Sequence, residues 1–300
     1  MATWSTTELA VAIPKIVAAK ALPKLIGNLP LKGLVTQDWS NEVKNYGDTV
    51  DVRNPVSVTV QDKTANTELT PQSVTATKVS IVLNKYKAVP LLGEDVAIIE
   101  SMTGTWENIL AETMMDLAVQ IETDIVTEAG NLTAAFVGTQ GVAATAASIR
   151  AMRKKIMDAK PIRGEKVYCV VGTQTELDLL GQDIVAQAQM RGSAETVATG
   201  MIGTLYGVEF HLGQQISRTG GGDKNVMFAK SALTLASRPL PLPEAGEGAT
   251  GAVESDPESG LSIRYTRQWA NLHLGRTAIF SALYGVKAIR PTLGGYVYGA

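Results

Sequence analysis

Valine recurs at alternate positions through Val50, Val52, Val56, Val58 and Val60, interrupted only around Asn54-Pro55, and Val79, Ile81 and Leu83 resume the alternation downstream. Period-two spacing of β-branched residues marks a strand, because successive side chains there point to opposite faces. Gln61 to Ser73 forms a polar tip between the two runs, so residues 48–86 predict a long two-stranded arm. That arm constrains the rest of the fold. A lone hairpin is marginal in water, ordering each residue costs about 1–2 kcal/mol, and unpaired edges invite aggregation. The ribbon must lie on a surface, of its own chain or of another, and the spacing leaves both open.

The flanking segments read differently. Before the arm, Pro14, Pro23 and Pro30 predict only short helices, and Lys15, Lys20, Lys24 and Lys32 face one acid, Glu8, as in a solvated arm. After it, Trp106, Leu110, Met114, Leu117, Ile121 and Ile125 recur at three- or four-residue steps, predicting one helix over 103–129 that stops at Gly130-Asn131. Its acids, Glu107, Glu112, Asp116, Glu122, Asp124 and Glu128, lie mostly off that stripe and predict a solvated or partner-facing side. From 141 the pattern becomes α/β. Ile149, Met152 and Ile156 give a helix its apolar face, opposite Arg150, Arg153, Lys154 and Lys155. A strand follows at 166–171, and Thr173 to Glu176 has the spelling of a capping box opening a helix with Leu177, Leu180 and Ile184. Further strands are expected at 207–212 and 225–229. Residues 239–260 read as an acidic, Gly-rich loop without Lys or Arg, and 261–290 as strand-rich.

Composition excludes some classes of function. A net charge of −2 and a pI near 5.8 give no overall basic field for wrapping duplex DNA. One cysteine, Cys169, cannot form an internal disulfide, and its place in the 166–171 run predicts a buried, inert thiol. No apolar run is long enough to cross a membrane as a helix, and residues 1–8 lack the basic segment of a signal peptide, so synthesis in the cytoplasm is expected.

The search for chemistry finds no ordered constellation. His211 and His273 stand alone, without a second ligand at metal spacing. Gly246, Gly248 and Gly251 match the spelling G-x-G-x-x-G, but they follow Pro-Leu-Pro-Leu-Pro and precede more loop, whereas pyrophosphate binding needs a strand before and a helix after. Gly220 to Lys224 lacks the end of a phosphate loop. The acids of 244–258 do not have calcium-loop spacing. No cofactor, metal or catalytic residue is predicted, and the chain reads as a non-enzyme. An α/β enzyme with residues converging from distant segments is the rival from another class.

The order of segments carries a resemblance. Tyr46 to Val52 leading to Val58 to Asp62, Gly200 to Val208, Phe228 to Ala236, and Leu283 to Pro291 look like the branch of tailed-phage major capsid proteins related to the Salmonella-phage coat protein. The resemblance implies an α+β, HK97-like capsid fold. Residues 1–41 would be an N-terminal arm, and 42–92 an extended β-hairpin loop lying on an adjacent subunit. A peripheral domain with a long spine helix would use 93–140 and 244–277, and an α/β axial domain 141–243 and 278–300. The implied function is a shell subunit, assembled as pentamers and hexamers around double-stranded DNA held by non-specific contact. A separate scaffolding protein and a portal are implied partners, the virion is the implied location, and no membrane is involved. An encapsulin-like compartment is the nearest alternative. Candidate intersubunit contacts are Lys63, Glu68, Glu94, Asp95, Glu254 and Asp256.

Overall fold

Two β-sheets meet around one continuous apolar core in the computed structural model of this chain, which describes residues 6–27, 29–37, 49–53, 58–66, 68–73, 77–95, 109, 112–182, 202–244, 248–257 and 260–300. In chain order the main elements are α1 (Thr6–Gly27), β1 (Thr49–Arg53), β2 (Lys78–Val82), β3 (Lys85–Glu94) and α2 (Met114–Glu128). They continue with β4 (Ala134–Val137), α3 (Ala146–Asp158), β5 (Val167–Val171), α4 (Thr173–Leu180), β6 (Thr204–Leu205), β7 (Val208–Leu212) and β8 (Arg218–Thr219). The last are β9 (Gly222–Ala229), β10 (Leu233–Arg238), β11 (Ala249–Ser255), β12 (Ser262–Ala270), β13 (Gly275–Ala288) and β14 (Gly294–Tyr298).

The first sheet is built on the 14-residue β13, which takes β12 and then β10 along one side and β3 along the other, all antiparallel. β11 extends it beyond β12. On its inner face Tyr265 and Phe280 pack with ring centroids 5.0 Å apart, under α1, which lies on β11 and β12, and α2, which lies on β13. The predicted stripe Met114, Leu117, Ile121 and Ile125 is the buried side of α2. Trp106 and Leu110 lie outside the described residues. The second sheet runs β4-β14-β9-β5-β7-β6, with β8 paired to β9. Its central β5 is buried at every residue and parallel to β7, as expected for an uninterrupted apolar run covered on both faces. α3 buries Ile149, Met152 and Ile156 as predicted.

Several expectations are corrected. The N-terminal segment is one 22-residue helix. Val17, Ala18, Ala21, Leu22 and Leu25 form a buried stripe, while Pro23 sits on the exposed side beside Ala19 and Lys20, where water can serve the carbonyl left without a donor. Packing of the stripe outweighs the proline penalty. The segment then stays docked: Thr36 forms a parallel bridge with Thr234, and its hydroxyl donates to the Lys230 carbonyl at 3.0 Å. The 244–260 stretch is a loop only in part, because β11 pairs residue for residue with the long edge of β12. Gly251 fits there since a Cβ would come 2.9 Å from the Tyr265 carbonyl.

Thr173 to Glu176 is not a capping box. Gly172 is the N-cap of α4, and the Asp223 carboxylate accepts the Thr175 N–H at 3.0 Å in its place. Leu177 is 64% exposed and Leu179 takes the buried position; Ile184 lies outside the described residues. The capping box of this region opens α3, between Thr145 and Ser148. Both sheets draw strands from several parts of the chain. β3 belongs to the first sheet although it falls in 42–92, β10 and most of β13 join the same sheet, and β4 joins the second.

Candidate functional site

The described residues present surfaces more readily than a reaction centre. The most exposed is the hairpin. Its root, β1 paired with β2, packs on the chain itself: Val52, Ile81 and Leu83 form a small core with Ala236 and Ile289. Farther out, residues 58–66 and 68–73 carry no backbone ladder. Two glutamine side chains replace it. The Gln72 amide accepts the Thr59 N–H at 2.9 Å and donates to the Thr59 carbonyl at 2.6 Å, and Gln61 does the same to Thr70 at 3.1 and 2.8 Å. The pairs Thr49–Val82, Thr59–Gln72 and Gln61–Thr70 share one register, each step outward matched by an equal step back. The turn at Ala65-Asn66 uses the left-handed conformation at Asn66, φ 66°, which Asn tolerates. The polar tip is therefore an extended ribbon. Val58, Val60 and Leu69 are 58%, 89% and 54% exposed on it, next to exposed Lys63 and Glu68.

A second surface lies at the end of the first sheet, where β12 turns into β13. Leu272 and Leu274 stand out at 96% and 70% exposed, with Trp269 beside them. Arg267, Gln268, Trp269 and Arg276, with Gly248 and Thr250, line a cavity of about 240 Å³. Glu94, at the end of β3, is exposed, and the Asp95 N–H donates to the Leu274 carbonyl at 3.2 Å. Glu254 lies half-buried on β11. Asp256, also a candidate subunit contact, is nearly buried and pairs with Lys32 of the same chain at 3.0 Å.

The acids of α2 also turn inward, against expectation. Glu122 and Asp124 are buried. Asp124 accepts the Tyr284 hydroxyl at 2.6 Å and meets Lys85 at 2.9 Å, and Glu128 accepts the Ala288 N–H at 3.1 Å. Burial pushes the Glu122 carboxyl above its ordinary range, partly offset by the Leu31 N–H that it accepts. Burial and Asp124 together push the Tyr284 hydroxyl upward, keeping it a donor. These residues knit helix, hairpin root and sheet together. The exposed Glu112 and Asp116 keep the predicted placement.

In the second sheet a buried polar knot ties α4 to the strands. Asn225 accepts the Gly172 N–H at 2.8 Å and donates to Thr175 Oγ1 at 2.9 Å and the Val297 carbonyl at 3.0 Å, while Arg218 reaches Asp223 at 3.2 Å. Every member has partners, so the knot positions backbone and offers no free nucleophile. Burial raises the Cys169 thiol, in keeping with an inert core residue. Burial lowers His211, which packs edge-on against Tyr168, 5.9 Å between centroids. His273 is exposed in the β12–β13 turn. Gly251 lies within β11, so no helix N-terminus follows the glycine-rich spelling, and Gly246 lies outside the described residues. Among the described residues no group of three His, Cys, Asp or Glu is placed to hold a metal ion, and no helix is long and apolar enough to cross a membrane.

Neither family models nor curated proteins match this sequence. Solved structures do. A structure from Mycobacterium phage Che8 is 20% identical and aligns over 88% of each chain with a TM-score of 0.63. The capsid of cyanophage P-SCSP1u is 14% identical, with 85% of this chain and 84% of that one covered and a TM-score of 0.59. A virus-like particle from Pyrococcus furiosus is 9% identical, covering 97% and 100% with a TM-score of 0.55. Whole-chain correspondence at such low identity is correspondence of fold, and the chain has the α+β, HK97-like capsid fold that its segment order implied.

Proposed function

We propose that this chain is a major capsid protein whose copies assemble, as pentamers and hexamers, into an icosahedral shell around phage double-stranded DNA. The supporting observation is the pairing of a capsid-type fold over nearly the whole chain with a ribbon whose apolar side chains find no cover in their own subunit. Val60, almost fully exposed on a two-stranded extension, loses water only against another molecule. Ordering that ribbon on a neighbour couples its stability to assembly. A subunit held on several sides is retained by all its contacts together, even where each is modest, and closed symmetry makes the product finite.

In this reading Lys63 and Glu68 at the tip, Glu94 and Asp95 at the end of β3, Glu254 on β11 and Asp256 just after it are intersubunit contacts. The segments 1–41, 42–92, 93–140 with 244–277, and 141–243 with 278–300 serve as arm, extended loop, peripheral domain and axial domain. A separate scaffolding protein and a portal are the expected partners, DNA is held without sequence preference, and assembly occurs in the host cytoplasm before the chain resides in the virion. The role is structural, without catalysis or cofactor.

The Pyrococcus virus-like particle, aligned over its whole length, favours a second reading, a protein nanocompartment. Particle contents separate the two: nucleic acid for a capsid, protein cargo for a compartment. The primary test is electron microscopy and sedimentation of the expressed chain, alone and with its scaffold. Megadalton shells are expected, and a stable small oligomer under both conditions overturns the reading. Deleting residues 61–73 is expected to abolish shells while the subunit still folds.

A further inference from the structure

Across the end of the first sheet the strand order is β3-β13-β12-β11. One outer strand, β3, ends in Glu94 and leads into Asp95, and neither carboxylate has an ion-pair or hydrogen-bond partner among the described residues. Across β13, β12 and the start of β11 lies the cavity of Arg267, Trp269 and Arg276. Trp269 and Arg276 face each other across the β12–β13 ladder, and among the described residues neither Arg267 nor Arg276 is paired with a carboxylate. Among the described residues the lining supplies donors from two guanidiniums, the indole, the Gln268 amide and the Thr250 hydroxyl, and no acid. Between the two sides project Leu272 and Leu274, the latter held at φ 40° in a left-handed conformation that leucine rarely adopts.

We infer that this end of the sheet is a head-to-tail contact between copies of the chain, in which Glu94 and Asp95 of one copy enter the Arg267–Trp269–Arg276 cavity of the next. The inference rests on the shell reading and names the surface and its occupant. Glu94 pairs with Gly275 and Arg276 with Gly93, so the pleat sets the Glu94 side chain and the guanidinium on opposite faces of this end, and a copy set beside another by rotation can bring the complementary charges together. Repeating such a contact closes a ring. Leu272 and Leu274 of each copy then lie toward the ring's centre, where neighbouring leucines cover them. A planar guanidinium fork beside an indole suits a carboxylate. It suits a phosphate as well, but nucleic acid would leave the two acids unpaired and the leucines wet, which favours a second copy.

Charge reversal tests this on shells of the full chain, assembled under whatever conditions the parent requires. Arg276→Glu alone, and Glu94→Arg with Asp95→Arg, are each expected to raise the assembly threshold concentration by about tenfold or more, and combining them restores it substantially. Leu272→Gln, at a position without intrachain cover, is expected to raise the threshold while subunit melting stays at the parent value. Parent shells combined with unaffected reversals overturn the contact and leave the shell reading standing. Reversals that assemble normally but lose encapsulated DNA overturn it in favour of a nucleic-acid surface. A parent chain that forms no particles removes the shell reading itself and this contact with it.

Discussion

Replacing Tyr284 by phenylalanine isolates one atom of the bracing between α2 and the first sheet. Tyr284 has no exposed surface, and its hydroxyl donates to Asp124 at 2.6 Å. Phenylalanine keeps the ring and its packing against the core, so no cavity of note arises. What changes is the hydrogen bonding of a buried carboxylate, which retains Lys85 at 2.9 Å and a longer contact from Gln120 at 3.4 Å. A hydrogen bond to a charged group contributes about 1.5–3 kcal/mol, and the surviving Lys85 pair argues for the middle of that range, about 2 kcal/mol. For chains of 150–250 residues each kcal/mol shifts the melting midpoint by about 2–4 °C, and this longer chain belongs at the low end, so a drop of about 3–5 °C is expected. Scanning calorimetry of the unassembled subunit reads it directly. Tyr86→Phe is the matched control: that hydroxyl accepts from Arg264 at 2.7 Å on a half-exposed face and its loss is expected to cost under about 0.5 kcal/mol. Equal melting of the two variants would refute the claim that Asp124 depends on Tyr284.

Two further substitutions probe burial and backbone proximity. Because burial raises the Glu122 carboxyl above 4.5, the folded state binds a proton that the unfolded state has released, and the charged form weakens the fold as pH rises. Glu122→Gln, which still accepts the Leu31 N–H, is expected to melt higher than the parent at pH 7 and alike below about pH 4.5; a pH-independent difference would contradict the assignment. Gly222→Ala places a Cβ 2.2 Å from the Gly299 carbonyl and 2.6 Å from the Gly141 nitrogen, both main-chain atoms, so soluble yield is expected to collapse, whereas Gly33→Ala meets nothing within 4 Å and is expected to leave yield unchanged.

Features with a short-range period were legible in the sequence. The alternating valines located the hairpin root, the three- and four-residue steps located the buried side of α2, and the run at 167–171 located the central strand. Elements decided by distant partners were not. Pro14 and Pro23 argue locally for a broken helix, and only the sheet beneath Val17, Ala21 and Leu25 makes a continuous one worthwhile. Glu122 and Asp124 look like ordinary surface acids until Leu31, Lys85 and Tyr284 arrive from elsewhere in the chain. Asp223 caps a helix 48 residues before it, which no adjacent spelling announces. Among the candidate surface residues, Lys63 and Glu68 could be placed by their position at a hairpin tip. The cavity of Arg267 and Arg276 left no trace, because its members come together through strand pairing across the β12–β13 turn.

The glutamine rungs have a consequence for how alike the copies are. The described residues of the outer ribbon are all exposed, and a solvent-washed pair of strands is ordinarily free to slide by a residue, turning every side chain to the other side. Gln61 and Gln72 sit on opposite strands and each grips both polar atoms of a single facing residue. Sliding by one place would strand both amides at once. The ribbon thereby behaves as a calibrated ruler, holding its valines at one fixed distance and orientation from the root, so that separately folded molecules extend interchangeable reaches.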